Sequence, residues 1–457
     1  MLKKPKIKIL ILLISIIIIG GYFFINSLIG NQTFSNLKSF LKAEQKELIK
    51  KYFFPYKAIS QRDGQILQRD KEMFELRFKE SGSEIKIVES YVNLSNNKIL
   101  KKYNLTLGFY AGIENQFPGS GYIDFYEDNI IVLSARGVLA FKKNIEDTKE
   151  NFQQIKNNIN EFIGINQFKK ANAFSLKDIF IFNNKVFISY TEEIKEDCWN
   201  TSLIYGDMNY ESINFEKLFF PKECVHSTNN IDKEFYATQS GGRIVSFDDK
   251  NILLSIGDYR NRHLAQDIKS VNGKIIKVNI DNGNYEIISM GHRNPQGLYF
   301  DKKNNFILES EHGPSGGDEV NLIEISKVNK DKIQNYGWAI SSAGEHYGGK
   351  VEGNKKTYEK YPLYKQHSEH GFIEPLKSFV PSIGISEIVK VEQNKYVVSS
   401  MKDQSIYFFE LNEQKQIINL NRVKVFERVR DLRFNNYQLY LFMEDTASIG
   451  VINLNKN

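Results

Sequence analysis

From about residue 105 onward the chain alternates apolar and polar positions in one pattern that returns six times. The segments are GYIDFYEDNIIVLSAR from Gly121, SLKDIFIFNNKVFISYTE from Ser175, GRIVSFDDKNILLSIGD from Gly242, QGLYFDKKNNFILESEHG from Gln296, SEIVKVEQNKYVVSSMKD from Ser386 and VRDLRFNNYQLYLFMED from Val429. Each reads as an alternating strand, a turn rich in Asn or Asp, and a second apolar strand trailed by a small or charged residue, which is the signature of a hairpin. Further short strands such as KIIKVNI and SIYFFEL follow. Hairpins of one register recurring at intervals of about 40 to 90 residues predict a six-bladed β-propeller with unequal loops. An irregular β-sandwich is the competing all-β architecture, but it has no reason to repeat the register.

A different pattern precedes the repeats. From Ile9 to Ile29 no residue is charged, and Lys3, Lys4, Lys6 and Lys8 stand before it. That length matches the roughly 20 residues of a transmembrane helix, with the N-terminus inside and the remainder exported. A cleaved signal peptide competes, but no A-x-A-like site follows the apolar run. Leu37, Phe40, Leu41, Leu48 and Ile49 then recur at helical spacing before Pro55, which predicts a juxtamembrane helix. MFELRFKE and SEIKIVESYVNL alternate like strands around Gly82. The expected organisation is an anchor over 1–30, a small α/β accessory segment over 31–104 and an all-β propeller over 105–457. The expected location is the inner (cytoplasmic) membrane, single-pass, with the propeller on the periplasmic or extracellular side.

Composition narrows the function classes. The 457 residues are 41% hydrophobic and include 33 Phe and 24 Tyr, enough for a large core and against wholesale disorder. The net charge of +6 is spread over scattered lysines without a basic stripe interleaved with aromatics, so no nucleic-acid surface is expected. Two cysteines, Cys198 and Cys224, bracket a hairpin-like excursion; in an oxidising compartment they would pair, adding about 3 kcal/mol by loop closure. Two cysteines do not make a zinc site, and the neighbouring His226 reads as a surface residue.

Candidate chemistry concentrates in Gly291–Glu324, GHRNPQGLYFDKKNNFILESEHGPSGGDEVNLIE, where glycines, prolines, histidines, an arginine and carboxylates surround one short strand. Propeller loops of one face gather at the central channel, so residues distant in sequence meet there. Gln239, Asp258, Arg293, Asn294, the EHGP turn, Lys402, Arg428 and Arg430 all flank the repeated strands. Several cations with amides and carbonyls around one pocket suit a small polyanionic ligand.

GHRNPQGLYF, EHGPSGGDEVNLIEI and NYGW together resemble the signature of the glucose/sorbosone dehydrogenase family, soluble aldose dehydrogenases that use pyrroloquinoline quinone (PQQ) on a six-bladed propeller. SSMKD and RVRD extend the likeness, which covers roughly residues 105 to 455. The resemblance implies PQQ held by Arg293, Asn294, Lys402, Arg428 and Arg430. It implies Ca²⁺ on the carbonyls of Gly313 and Pro314, and a second, structural Ca²⁺ on Glu319 and the Tyr336 carbonyl. Oxygen donors of this kind are what a hard cation requires. An insertion, SKVNKDKIQ, separates the last two ligands. A sugar substrate and a membrane or periplasmic electron acceptor follow from the same likeness.

Two departures stand out. The family's general base is a histidine four residues before the arginine of the GGR strand, and here that position is Gln239. Glutamine has no pKa suited to accepting a proton, whereas Asp258 matches the acid that orients the family histidine. His226, His263 and His312 are the histidines that would have to substitute. The stretch before the second hairpin, KKANAFSLKDI, also lacks the family's glycine and glutamine. The sequence therefore supports either a PQQ-dependent aldose dehydrogenase acting at C1 or a catalytically lapsed propeller that keeps calcium and binds a ligand or protein partner.

Overall fold

A computed structural model describes residues 84–85, 88–95, 98–105, 120–170, 173–328 and 333–455. Contacts divide the chain into two units, Met1–Arg69 and Asp70–Asn457, and every described residue belongs to the second. The apolar run 9–29 and the amphipathic segment 36–56 lie outside the described residues. Among the described residues no helix is long and apolar enough to cross a membrane.

Among the described residues, six mainly antiparallel sheets follow one another around a central channel, the third carrying a short parallel strand at its edge. Their innermost strands are Gly121–Tyr126, Leu176–Phe182, Gly241–Asp248, Pro295–Asp301, Ile385–Glu392 and Val429–Asn435, and each lies against the next, the last against the first. These six strands and their hairpin partners are the six repeats of the sequence. Several turns use residues that tolerate a left-handed backbone, as at Asn183 and Asn184 (φ 51° and 57°), which suits a tight hairpin.

Apolar runs such as Asn251–Ile256 arise because both faces of a blade are buried. Ile252 and Leu254 pack toward the second sheet, and Leu253, on the opposite face, packs toward the fourth. The same division repeats with Ile131 and Leu133 on one side of the first sheet and Ile130 and Val132 on the other. Six hydrophobic clusters result, one between each pair of neighbouring blades.

The ring closes with residues from both ends of the repeated region. Ile99–Asn104 pairs with Ser448–Asn453 at the outer side of the sixth sheet, and Val88–Asn93 adds a further strand. The boundary drawn at residue 105 therefore cuts this sheet. The strand at 88–93 finds its partner at 99–104, a pairing that the alternation around Gly82 did not suggest. A toroidal sheet has to join its first and last blades, and burial of Leu100 and Tyr103 between blades supplies the apolar contact that holds them. Cys198 and Cys224 are bonded to each other with Cα atoms 5.3 Å apart, and the adjoining residues pair as Cys198↔His226 and Trp199↔Val225, fastening Val225–His226 to the second sheet.

Candidate active site

At the waist of the channel the inner strands present charged side chains in equivalent registers. Arg243 Nη1 meets Asp178 Oδ1 at 2.7 Å and Asp431 Oδ1 at 2.8 Å, and its Nε lies beside Glu387. Arg433 spans the same acids and Asp124. Each acid also accepts a backbone N–H from a neighbouring blade: Asp124 from Ile181, Asp178 from Ile244, Glu387 from Leu298 and Asp431 from Ile123. Burial pushes Asp178 up to about 7 and Glu387 to about 8, the two arginines opposing the shift.

One mouth of the channel opens into a pocket of about 500 Å³. Its walls bring together Gln239, Arg293, Asn294, Gly313, Pro314, Lys402, Arg428 and Arg430 from four blades. Arg293 is fixed over the EHGP turn, Nη1 donating to the carbonyls of His312 (2.9 Å) and Gly313 (2.7 Å), with Trp338 beneath its guanidinium. Arg428 and Arg430 both bind Glu444, whose carboxyl they hold down at about 2 against its burial. Lys402 is exposed at the rim. Gly313 is required by close approach, since a Cβ there would stand 1.7 Å from the Gly317 carbonyl oxygen.

Gln239 and Asp258 meet, but only Gln239 faces the pocket. The amide oxygen of Gln239 accepts from Arg293 Nη2 at 2.8 Å and its nitrogen donates to Asp258 Oδ1 at 3.1 Å. Asp258 is fully buried behind it and accepts from the Trp338 indole (2.7 Å) and the Arg260 N–H (2.8 Å). Burial pushes its pKa above the ordinary carboxylate range, restrained by Arg293 and the indole. Gly257 makes this contact possible, because a Cβ would lie 2.2 Å from the Gln239 carbonyl oxygen. Of the three histidines considered as substitutes, His312 lines the pocket, its imidazole held neutral at about 4 by burial. His263 instead faces Asp232, and His226 caps its own turn.

A family profile described as glucose/sorbosone dehydrogenase matches residues 173–451. The chain belongs to the glucose/sorbosone dehydrogenase family. It is 25% identical over 296 residues to the aldose sugar dehydrogenase YliI of Escherichia coli, spanning 59% of this chain and 72% of that one. An uncharacterised protein of Synechocystis is 30% identical over 224 residues, 42% of this chain and 50% of its own, so the chain spans about half the length of that relative. The PQQ-bound aldose sugar dehydrogenase of Streptomyces coelicolor shares the fold with a TM-score of 0.54 at 17% identity, over 78% of this chain and 98% of that one.

Measured against that family, the donors at the pocket fit a polyanion with a hard cation. Four cations and two acids, Glu444 and Asp318, line it, and the Gly313 carbonyl keeps a second lone pair beside the one that Arg293 uses. Asp318 is occupied with backbone amides, accepting from Gly384 at 2.6 Å and Ile385 at 3.0 Å.

The second calcium site fits less well. Glu319 and the Tyr336 carbonyl each meet His367, whose Nδ1 is 2.9 Å from the carbonyl and whose Nε2 is 3.7 Å from Glu319 Oε1. An imidazole is a poor neighbour for a cation that takes oxygen ligands. Burial pushes the Glu319 carboxyl well above its usual range.

In the segment without the family's glycine and glutamine, Phe174 stacks on Trp199 and the Lys177 ammonium donates to the Ala173 carbonyl, and none of the described residues 173–179 lines the pocket. Glu444, Tyr347 and Gln296 were not anticipated. Glu444 has a signal in retrospect, an acid trailing the second strand of its hairpin as Asp258 trails Ile256.

Proposed function

We propose that this pocket binds PQQ with Ca²⁺ and acts on the C1 hydroxyl of an aldose, in a protein exported across the inner membrane and anchored there by residues 9–29. The convergence of Arg293, Asn294, Lys402, Arg428 and Arg430 with the Gly313 and Pro314 carbonyls on one cavity carries this reading. Bound PQQ would supply the two-electron oxidant that takes hydride from C1, yielding a lactone, with electrons passing on to a membrane or periplasmic acceptor. Lys402, Arg428 and Arg430 would pair with cofactor carboxylates, Arg293 and Asn294 would orient it, and the two carbonyls would hold the calcium.

The C1 hydroxyl must also surrender a proton. Gln239 occupies the place of the family base and can accept a hydrogen bond there but not the proton. Asp258, the group that could hold it, sits behind the Gln239 amide. This favours a second reading, a propeller that retains cofactor or ligand binding with little turnover.

Reconstitution of the purified protein with PQQ and Ca²⁺, followed by dye-linked oxidation of an aldose panel, separates the two. Gln239→His places an imidazole between substrate and Asp258, and the expected gain in kcat is about 100-fold or more. Wild-type turnover equal to that of Gln239→His would establish the first reading without a base at 239. Absence of any PQQ absorbance change on titration would rule out the first reading and leave a propeller that binds another ligand or a partner.

A further inference from the structure

The strand Phe306–Glu311 carries a row of side chains that breaks the rule of the other blades. Phe306 and Leu308 face the fifth sheet and Ile307 packs toward the third, as the period of two requires. Glu309 and Glu311 then continue the row of Ile307, where an apolar interface is expected. Across the ladder, Glu309 is opposite Asn321 and Glu311 opposite Glu319. Glu309 is fully buried and Glu311 is 3% exposed, and among the described residues neither forms an ion pair with a lysine or arginine.

His292, also fully buried, points into this row from the loop that follows the third sheet. Its ring stacks on Tyr336 with centroids 5.0 Å apart, and Nε2 is 2.8 Å from Ser289 Oγ. Nδ1 lies 3.5 Å from Glu311 Oε1 and 3.8 Å from Glu309 Oε2, and no hydrogen bond satisfies it. With Nε2–H donating to Ser289, the Nδ1 lone pair faces two carboxylates. Glu309 Oε1 and Asn321 Oδ1 are likewise without partners. One donor atom from each of His292, Glu309 and Glu311 falls within 4.8 Å of the others.

We propose that His292, Glu309 and Glu311 bind a divalent first-row cation of the zinc class, in a structural site separate in its donors from the Glu319 and Tyr336 pair. One imidazole nitrogen with two carboxylates suits zinc or manganese and not calcium, which takes six to eight oxygens. A divalent charge compensates two buried carboxylates that otherwise face a bare imidazole. Asn321 positions both, its Nδ2 donating to Glu309 Oε2 at 3.0 Å and Glu311 Oε1 at 3.2 Å, and the Ser289 hydroxyl can accept Nε2–H and leave Nδ1 for the ion, the usual supporting arrangement around a metal. Glu311 also accepts the backbone N–H of Arg293 through Oε2, so the ion braces the segment that presents Arg293 to the pocket.

The test uses the full chain and needs no turnover. After chelator treatment and dialysis, uptake of Zn²⁺ and Mn²⁺ is measured by elemental mass spectrometry and calorimetry, and Co²⁺ loading by its visible ligand-field spectrum. The expected result is about one equivalent of Zn²⁺ with a rise in Tm, affinity falling on the order of 100-fold in Glu309→Gln and staying within about 3-fold in Glu319→Gln. Wild-type protein that takes up no Zn²⁺ or Mn²⁺ would overturn the proposal, as would Glu309→Gln binding like wild type. Because the wild-type uptake and the Co²⁺ spectrum are read without any substitution, a misfolded variant does not rescue it.

Discussion

The waist and the mouth of the same channel are built from the same residue types in opposite proportion. At the waist two arginines, Arg243 and Arg433, face four acids, Asp124, Asp178, Glu387 and Asp431. At the mouth four cations, Arg293, Lys402, Arg428 and Arg430, face two acids, Glu444 and Asp318. Every waist acid accepts a backbone N–H from an adjoining blade, so its charge is spent on holding the ring. The mouth leaves positive charge directed at solvent. The two acids in excess at the waist are met by backbone amides and by burial that favours the neutral forms of Asp178 and Glu387, whereas the two cations in excess at the mouth face the pocket.

Removing the waist cation should have the largest consequence. Arg243→Leu leaves Asp178, Glu387 and Asp431 buried with Arg433 as their remaining counter-charge, an expected loss of about 3–5 kcal/mol. Urea unfolding measures it. A loss below about 1 kcal/mol would show that the waist is not what joins the blades.

The two regions should also respond to pH with opposite sign. Asp178 and Glu387 titrate at about 7 and about 8 in the folded chain, above their unfolded values, so their contribution is complete below about pH 4 and fades as pH rises through 7 to 8. Glu444, held at about 2, contributes fully above about pH 4.5 and loses its effect as pH falls toward 2, roughly 3 kcal/mol in all. Urea midpoints against pH should therefore decline at both ends. Glu387→Gln should flatten the alkaline limb and leave the acid limb; an unchanged alkaline limb would refute the assignment.

How far the sequence discloses these regions depends on whether a residue acts by pattern or by partner. The six hairpins were legible because both faces of each blade are buried, which writes an apolar signal into every second strand. The pairing of Gln239 with Asp258 came from the family resemblance, and the structure puts the two side chains in contact. The waist was not: Asp124, Asp178 and Asp431 appear in the repeats as scattered charges in largely apolar strands, and what makes them a network is that the inner strands converge. The strand at 88–93 was legible, but its place in the sixth sheet was not, because it joins through Ile99–Asn104, whose partner Ser448–Asn453 is some 350 residues away. Glu309 carried no signal of its own and Glu311 read as part of the EHGP turn; the period of the strand places both in an inter-blade core.

Glu444 joins the two behaviours, since it is a buried acid of waist type placed at the mouth. Glu444→Gln removes the partner shared by Arg428 and Arg430, with an expected loss of about 3 kcal/mol, at the low end of that at the waist because both guanidiniums reach the pocket. Ligand binding should move the other way. Two arginines released from an internal acid pair better with an added polyanion, so PQQ titration should give a lower Kd in Glu444→Gln and restore most of the lost stability. Weaker PQQ binding in this variant would mean that Glu444 positions the arginines for the ligand and does not compete with it.

Lys402 supplies the smallest structural effect and the cleanest reading of the mouth. Its side chain is exposed at the rim, so Lys402→Ala should leave urea unfolding within about 0.5 kcal/mol of wild type. If the mouth is a polyanion site, the same substitution should raise the Kd for PQQ about 10-fold, and the difference should shrink as salt is added because a rim charge is screened. An unchanged Kd at low salt would confine ligand recognition to the arginines. Charge at the mouth would then be divided again, into cations that hold a ligand and one that only faces water.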